Sequence, residues 1–373
     1  MCLQTCHPDE PELERQFQYY QTANYTASRL LTLCQRRLVP LLIRISKSRV
    51  YWKKCGEGRI TGSHEFLVVR RVLFALAKDV DLPDVAFALD PSDFSRPLAP
   101  VEGASSPQWN FFEPAIVRFV GDAASPALLF PTKAFVKTTG LCGIEKDFAG
   151  AFVPCSNIPA TPWASKSPVV FFRGSPTGIP LDRDHEHFIP RPAFSERFHS
   201  RPGYDVAFVK DATPPYRPSD FLARHRWVDR VPKQDYAKYK YLVSMDGHSA
   251  SWGLIERLAT GSLVFKQESA YREHYYVHLK PFVHFIPLDP GFANMESARQ
   301  WALEHDAEAR AMAQRTLELV RTRFRTQDTW CYVLRLILEL SRRFTNDGTD
   351  ILTNDLADWR PLTRADVDEV VKD

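Results

Sequence analysis

The sequence has no apolar run approaching the roughly 18–20 consecutive residues that a membrane-spanning helix needs. No basic segment followed by an apolar core opens it. The start, "MCLQTCHPDEPELERQ", is acidic and polar, so no secretory leader is expected. Cys-x-x-Cys spacing is missing too. The seven cysteines (Cys2, Cys6, Cys34, Cys55, Cys142, Cys155 and Cys331) are odd in number and scattered. Without a leader, that usage predicts free thiols in a cytoplasmic protein rather than a disulfide framework. Cys2 and Cys6 with His7 read as a polar terminus, not a metal site. Clustered lysine and arginine are also lacking, which argues against a nucleic-acid partner. The net charge of +3 and pI near 8.4 suit an anionic small substrate or a phospholipid surface. No internal repeat appears, so solenoids and propellers are set aside.

What is present is ordinary globular composition. The 373 residues are 44% hydrophobic and 25% charged, enough for two domains of about 150–200 residues each. Apolar spacing predicts helix over 11–46, broken or kinked at Pro40. Further helix is expected over 65–80, and strands at "DVAFALD", "AIVRFV" and "ALLFP". Proline and glycine concentrate between 140 and 220, where "VPCSNIPATPWASKSP" reads as an interdomain linker. "VVFFRGSPTG" follows as a strand. The stretch from 179 to 220 reads as loop with one short helix at 193–199. "YKYLVSMDGHSASWGLIERLATGSLVFKQ" then reads as strand, polar loop, helix, strand. Period-3.6 apolar stripes make the final third helical, with an acidic tail or strap after 345. Strands alternating with helices in both halves predict α/β architecture with parallel sheets.

Three patches carry candidate chemistry. Ligands of open parallel sheets bind outside the carboxyl ends of strands, where loops enter helices. "DGHSAS" is such a loop: Gly247 permits a tight turn, and His248, Ser249 and Ser251 can cap a helix or present donors to a phosphate. An ordinary capped helix would read the same way. Arg173-Gly174-Ser175 ends the preceding strand, and an arginine there can clamp a phosphate with its two-pronged guanidinium. "KQESAYREHYYVHLKPFVHFIPL" is a polar, aromatic connection fit to hold ribose or sugar hydroxyls. "LDRD" at 181–184 with His185 and His187 resembles a metal site, but no fourth ligand is evident.

Together, "PWASKSPVVFFRGSPTG", "YKYLVSMDGHSASWGLIERLATGSLVFKQES" and "YYVHLKPFVHFIPL" resemble glycosyltransferase family 90, in its bacterial form. That family includes lipopolysaccharide-modifying, capsule-associated and protein O-glucosyltransferases. The resemblance implies a GT-B-like fold, with two facing Rossmann-like domains and a helical C-terminal region. The expected limits are 1–160 for an acceptor-side domain, 161–345 for the sugar-nucleotide domain, and 346–373 for a tail. It implies a UDP-sugar donor, inversion at the anomeric carbon, and neither metal nor other cofactor. Carried over by residue, the donor site comprises Phe172, Arg173, Gly174, Ser175, Asp246, Gly247, His248, Ser249, Ser251, Gly261, Ser262, Lys266 and Glu273. One departure stands out: many members place an arginine where this chain has Gly253, which leaves Arg257, Arg173 or Lys266 to serve the donor phosphates.

Inverting transfer needs a base for the acceptor hydroxyl. "DVAFALDPSDF" offers Asp93, which fits the family spacing, and Asp90, nearer the strand end. The expected reaction moves a hexose, glucose by preference, to lipopolysaccharide core or a related surface glycan, free or lipid-linked. The arginines of 310–343 could touch anionic lipid at the inner membrane face. Two alternatives stay open: a protein or capsular acceptor, and a non-catalytic sugar-nucleotide-binding protein.

Overall fold

The structure, a computed structural model, describes residues 11–18, 24–37, 39–56, 63–91, 116–121, 128–139, 161–178, 190–212, 219–349, 351 and 358–368. In chain order its first elements are α1 (Pro11–Gln18), β1 (Tyr25–Thr26), α2 (Ala27–Gln35), β2 (Leu41–Ser46), β3 (Arg49–Lys54), α3 (Ser63–Asp79), β4 (Val85–Asp90), β5 (Ile116–Arg118), β6 (Leu128–Leu129) and α4 (Lys133–Thr139). Then come β7 (Ser167–Gly174), α5 (Pro190–Phe198), β8 (Tyr204–Val209), α6 (Ser219–Ala223), β9 (Trp227–Val228), β10 (Tyr239–Ser244), α7 (Leu254–Leu258), β11 (Leu263–Gln267) and β12 (Ile286–Leu288). The chain closes with α8 (Met295–Glu304), α9 (Asp306–Arg323), α10 (Thr326–Arg343), β13 (Phe344–Thr345), β14 (Arg360–Pro361) and α11 (Arg364–Asp368).

Two compact units result. One holds Met1–Val136, Tyr271–Val277 and Thr326–Asp373; the other holds Lys137–Ala270 and His278–Arg325. Each carries a six-stranded sheet, so the expected α/β class with two sheet-bearing units is what the structure has.

The first unit's sheet runs β14-β3-β2-β4-β5-β6, and only its β4–β5–β6 part is parallel. The expectation of parallel strands fails here because β2 and β3 form a hairpin. Ser46 pairs with Arg49, and the two residues between, Lys47 and Ser48, have φ of 49° and 57°. That is the backbone of a type I′ turn, which fits antiparallel strands only. The turn lacks the usual asparagine and glycine. It is held instead by Lys47 N donating to Asp84 Oδ1 (2.7 Å) and Leu82 N donating to Ser48 Oγ (3.0 Å). β2 also corrects the helix expected over 41–46. All six of its residues are buried, the polar Arg44 and Ser46 included, and a short run that follows an expected helix is read as its continuation.

α10 packs back onto the first unit. Tyr25 Oη donates to Ala86 O (2.9 Å) and Leu340 O (3.3 Å), and Tyr332 Oη donates to Leu129 O (2.8 Å). Its residues therefore join the first unit, whereas the limits read from the sequence gave them to the second. The expectation of free thiols is also corrected. Cys34, at the end of α2, and Cys55, after β3, form a disulfide with Cα atoms 4.8 Å apart, and Cys331 is disulfide-bonded as well. Spacing along the chain could not reveal a pairing that depends on two elements meeting in space.

The second unit's sheet is parallel throughout, in the order β12-β11-β10-β7-β8-β9. Its core joins Phe172, Phe194, Phe208, Tyr241 and Phe265 to apolar residues of α8 and α9. β8 lies where loop was expected; "YDVAFV" is a buried strand hidden in a proline-rich stretch. From β7 the chain winds outward through β8 and β9, and from β10 it winds the other way through β11 and β12. The direction of winding reverses between β7 and β10. Among the described residues no helix is long and apolar enough to cross a membrane.

Candidate donor-binding site

In a doubly wound sheet, the crevice at the reversal of strand order is where two loops part and leave room for a ligand. Here those loops are Ser175–Gly178 after β7 and Met245–Ser251 after β10. One side chain joins them. Arg191, in the first turn of α5, donates from Nη1 to Ser175 O (3.2 Å) and Thr177 Oγ1 (2.8 Å), and from Nη2 to Met245 O (3.2 Å). Gly247 makes this possible, because a Cβ there would lie 3.0 Å from Arg191 Nη2 and 3.1 Å from Thr177 Oγ1.

Asp246 organises the second loop from within. Its carboxylate Oδ1 accepts from Ser251 N (3.1 Å), while its own N–H donates to Gln267 Oε1 (3.1 Å). Burial pushes the Asp246 carboxyl up from its ordinary value. A hydrogen bond from Ser269, the charges of Lys266 and Arg191, and the Ser251 N–H oppose that rise. Inside the loop Gly247 N donates to Ser249 O (3.0 Å), and Ser249 and Ser251 are buried. Lys266, at the carboxyl end of β11, pairs in register with Ser244 and extends over the Phe285 ring (5.7 Å). Ser175, Asp246, Gly247, His248, Ser249, Ser251 and Lys266 thus gather at the carboxyl edge of one sheet.

Other expected site residues lie elsewhere. Phe172 is a core ring, 1% exposed. Gly174 is glycine for the sake of that ring, since a Cβ there would sit 2.9 Å from Phe172 Cζ. Arg173 alternates to the opposite face of β7. Its Nη2 meets Asp205 Oδ1 at 2.6 Å, and its Nη1 donates to Phe172 O and Asp205 O, each at 2.8 Å. Its guanidinium carbon stands 4.5 Å from the centre of the Phe171 ring. At 5% exposure it is a buried ion-paired residue, not a phosphate clamp. Gly261 and Ser262 enter β11 from below, at the amino edge of the sheet. There Lys166 Nζ donates to Ala237 O (2.6 Å), Thr260 O (3.1 Å) and Ser262 Oγ (3.0 Å). Gly261 has φ 65°, which is why it is glycine. Glu273 belongs to the first unit, fully buried, where its carboxylate accepts from Thr132 Oγ1 (2.7 Å) at the start of α4.

The helix after the loop also differs from expectation. α7 spans only Leu254–Leu258, and its cap, Gly253, makes no side-chain hydrogen bond. His248, Ser249 and Ser251 precede the helix rather than cap it. Gly253 instead makes room for Arg257: a Cβ at 253 would lie 2.5 Å from Arg257 Nη1, which donates to Gly253 O at 2.7 Å. Of the cations expected to replace an arginine at 253, Arg173 is spent on Asp205, Arg257 covers Gly253, and Lys266 stands near Asp246. Arg191 was missed in the sequence, where it lies between two prolines in a stretch read as loop.

In the first unit, Asp90 ends β4 beside its register partner Arg118, with Arg118 Nε 3.5 Å from Asp90 Oδ2. Asp93, and the Asp182, Asp184, His185 and His187 group, lie outside the described residues.

Residues 5–350 match the family model described as Glycosyl transferase family 90. Among curated relatives, protein O-glucosyltransferase 3 of Mus musculus is 24% identical over 280 residues, which is 73% of this chain and 50% of that protein. Protein O-glucosyltransferase 2 of Danio rerio is 33% identical over 139 residues, 36% of this chain and 28% of that one. Human protein O-glucosyltransferase 1 is 29% identical over 187 residues, 48% and 43% of the two chains. This chain therefore spans half or less of the length of these relatives. Among solved structures, Anabaena HepE in complex with UDP-glucose overlaps 48% of this chain and 49% of its own at 12% identity, with a TM-score of 0.31.

Proposed function

The chain belongs to glycosyl transferase family 90, and on that premise we propose that it moves a hexose from a UDP-sugar to a hydroxyl acceptor, with inversion and without a metal ion, in the GT-B manner. One observation carries the donor half of this reading. At the reversal point of a fully parallel sheet, the Arg191 guanidinium bridges the two loops that a diphosphate would lie between. In the reaction the acceptor oxygen attacks the anomeric carbon as the bond to the diphosphate oxygen breaks. UDP leaves with that electron pair, and a base takes the hydroxyl proton. The charge growing on UDP calls for fixed cations and N–H groups. Arg191 supplies the first, with Lys266 beside it; the backbone of 247–251 supplies the second. The base is a carboxylate of the Asp90-Pro-Ser-Asp93 segment. Asp90 is already engaged by Arg118, which favours Asp93.

For the acceptor, the reading from the sequence is a glycan such as lipopolysaccharide core. A protein hydroxyl is the second reading. The relatives, named as protein O-glucosyltransferases, favour it, and so does the Cys34–Cys55 disulfide, which suits an oxidising compartment better than the cytoplasm.

Calorimetric titration of UDP in EDTA tests the donor site. Wild type should bind, and Arg191→Ala should weaken binding by about 10- to 100-fold, the worth of a hydrogen bond to a charged group. Release of UDP from UDP-glucose in the presence of acceptor separates an enzyme from a binding protein. No binding of UDP, UDP-glucose, UDP-galactose or UDP-xylose, with or without Mn²⁺, would end the proposal.

A further inference from the structure

Among the described residues three large apolar side chains are exposed: Phe282 at 67%, Val283 at 37% and Leu303 at 36%. Two of them are neighbours, and Pro281 before them is exposed as well. A folded surface avoids such a run of exposed apolar residues unless the run has a use.

The run sits on a firmly held turn. Val283 N and His284 N both donate to Lys280 O (3.2 and 3.0 Å), Phe282 N donates to Phe285 O (2.8 Å), and Lys280 N donates to His284 Nδ1 (3.0 Å). α9 secures it from beside: Arg315 Nε donates to Val283 O (3.2 Å) and Thr316 Oγ1 to His284 O (2.5 Å). At the apex Phe282 has φ 60°, a left-handed position where a bulky side chain is rare and glycine is at ease. With two-thirds of its surface in water, phenylalanine there does little for the core. The tip leads directly into β12, so it stands at the amino edge of the second unit's parallel sheet, opposite the donor loops.

Cations flank this tip. Lys280 and Arg315 are both exposed. Burial first, then the charges of Arg315 and Lys280, push the pKa of the His284 ring between them below its ordinary value. Among the described residues neither cation forms an ion pair. No acid lies between Glu273 and Asp289 in the chain, and Glu318, the next acid along α9, does not pair with Arg315.

We propose that this tip docks on an acidic lipid surface: Phe282 and Val283 enter the boundary between headgroups and acyl chains, and Lys280 and Arg315 meet the lipid phosphates. Apolar side chains below the headgroups with cations at their level are the chemistry of peripheral membrane contact. A tip of two apolar side chains falls well short of the about 800 Å² per partner that a stable protein interface buries. The inference rests on the second unit's surface alone, not on the donor reading.

Co-sedimentation of the full chain with phosphatidylcholine vesicles, with and without phosphatidylglycerol, tests this. Uptake is expected on the acidic vesicles only and should fall as salt rises. Phe282→Gly should weaken it by about tenfold, the loss of most of one apolar side chain's burial. Glycine suits the left-handed position, so the melting temperature should stay near that of wild type, and lost uptake cannot be lost fold. Lys280→Glu should weaken uptake by about fivefold or more. Phe282→Trp protein should gain quenching by brominated lipid over wild type, which contact through another face would not give. UDP titration of Phe282→Gly protein should match wild type; if neither binds UDP, the donor reading falls and this one stands. No uptake by acidic vesicles, equal uptake by neutral ones, or undiminished uptake of Phe282→Gly protein would each overturn the proposal. So would a wild-type dimer, seen by sedimentation equilibrium and lost in Phe282→Gly protein, without vesicle uptake: the tip would then meet a second copy of the chain.

Discussion

Breaking the Arg173–Asp205 pair should cost the second unit stability rather than affinity for a donor. Arg173 is 5% exposed, and the Asp205 side chain is 23% exposed. Removing one partner of a buried pair strands the other charge, at about 3–5 kcal/mol in a dry site. Arg173 keeps two carbonyl acceptors, and Asp205 is partly solvated and also meets Arg226 Nη1 at 2.6 Å. Discounting for that screening leaves about 2–3 kcal/mol for Asp205→Ala. Asp205→Asn keeps an acceptor for the guanidinium and should lose about 1–2 kcal/mol. The pH dependence has a definite sign. Burial opposes ionisation of Asp205, but hydrogen bonds and charge from Arg173 and Arg226 outweigh it and hold the carboxyl below its ordinary 3.8. A carboxyl depressed in the folded state contributes stability that is present above its unfolded value and lost as pH falls through its folded value. The gap between wild type and Asp205→Asn should therefore be full at pH 7 and close in acid below pH 3.8. Urea denaturation at several pH values measures it, with UDP titration of the same proteins alongside. Arg173→Ala at wild-type stability with weakened UDP binding would refute this reasoning and return Arg173 to the donor site.

Gly174→Ala should destabilise by about 1–3 kcal/mol, because the added methyl would stand 2.9 Å from a locked core ring. An unchanged thermal midpoint would mean the ring can move aside. Asp246→Ala should lose about 1–3 kcal/mol by stripping a buried N–H of its acceptor, whereas Asp246→Asn keeps the oxygen that Ser251 N needs. The Asp246 carboxyl is raised by burial, so wild type carries a penalty that appears as pH rises through the raised value. Asp246→Asn should therefore gain on wild type towards neutral pH and match it in acid, as denaturation at two pH values would show.

Long apolar runs made β7, β10 and β11 legible, and 3.6-residue periodicity did the same for α8 to α10. β2 was not legible, since its short run follows an expected helix and its turn lacks the usual residues. β8 was masked by the prolines and polar residues around it. The site divided along similar lines. A sequence can say that Arg173 ends a strand. It cannot say that Asp205 of a neighbouring strand waits on the face to which pleating sends that side chain. Nor could it single out Arg191, which matters only because α5 begins beside the loops that leave β7 and β10.

The position of Gly261 and Ser262, by contrast, was available in principle. In a parallel sheet every strand begins at the edge opposite the ligand, so residues that open β11 cannot touch what the loop after β10 holds. The stretch 239–267 climbs β10, crosses the carboxyl edge at 245–251, descends through α7 and climbs again in β11. Lys266 stands about 10 Å along that second climb from Leu263, at about 3.3 Å per residue. The motif therefore serves both edges for different reasons. At the lower edge Lys166, whose amine burial pulls down to about 8, ties the start of β7 to the residues leading into β10 and β11. At the upper edge Arg191 ties the loops leaving β7 and β10. A lysine clamp that fixes how far each strand rises also fixes how far apart those loops stand. On the proposed reading, the amino edge helps to space the loops of the donor site without lining it.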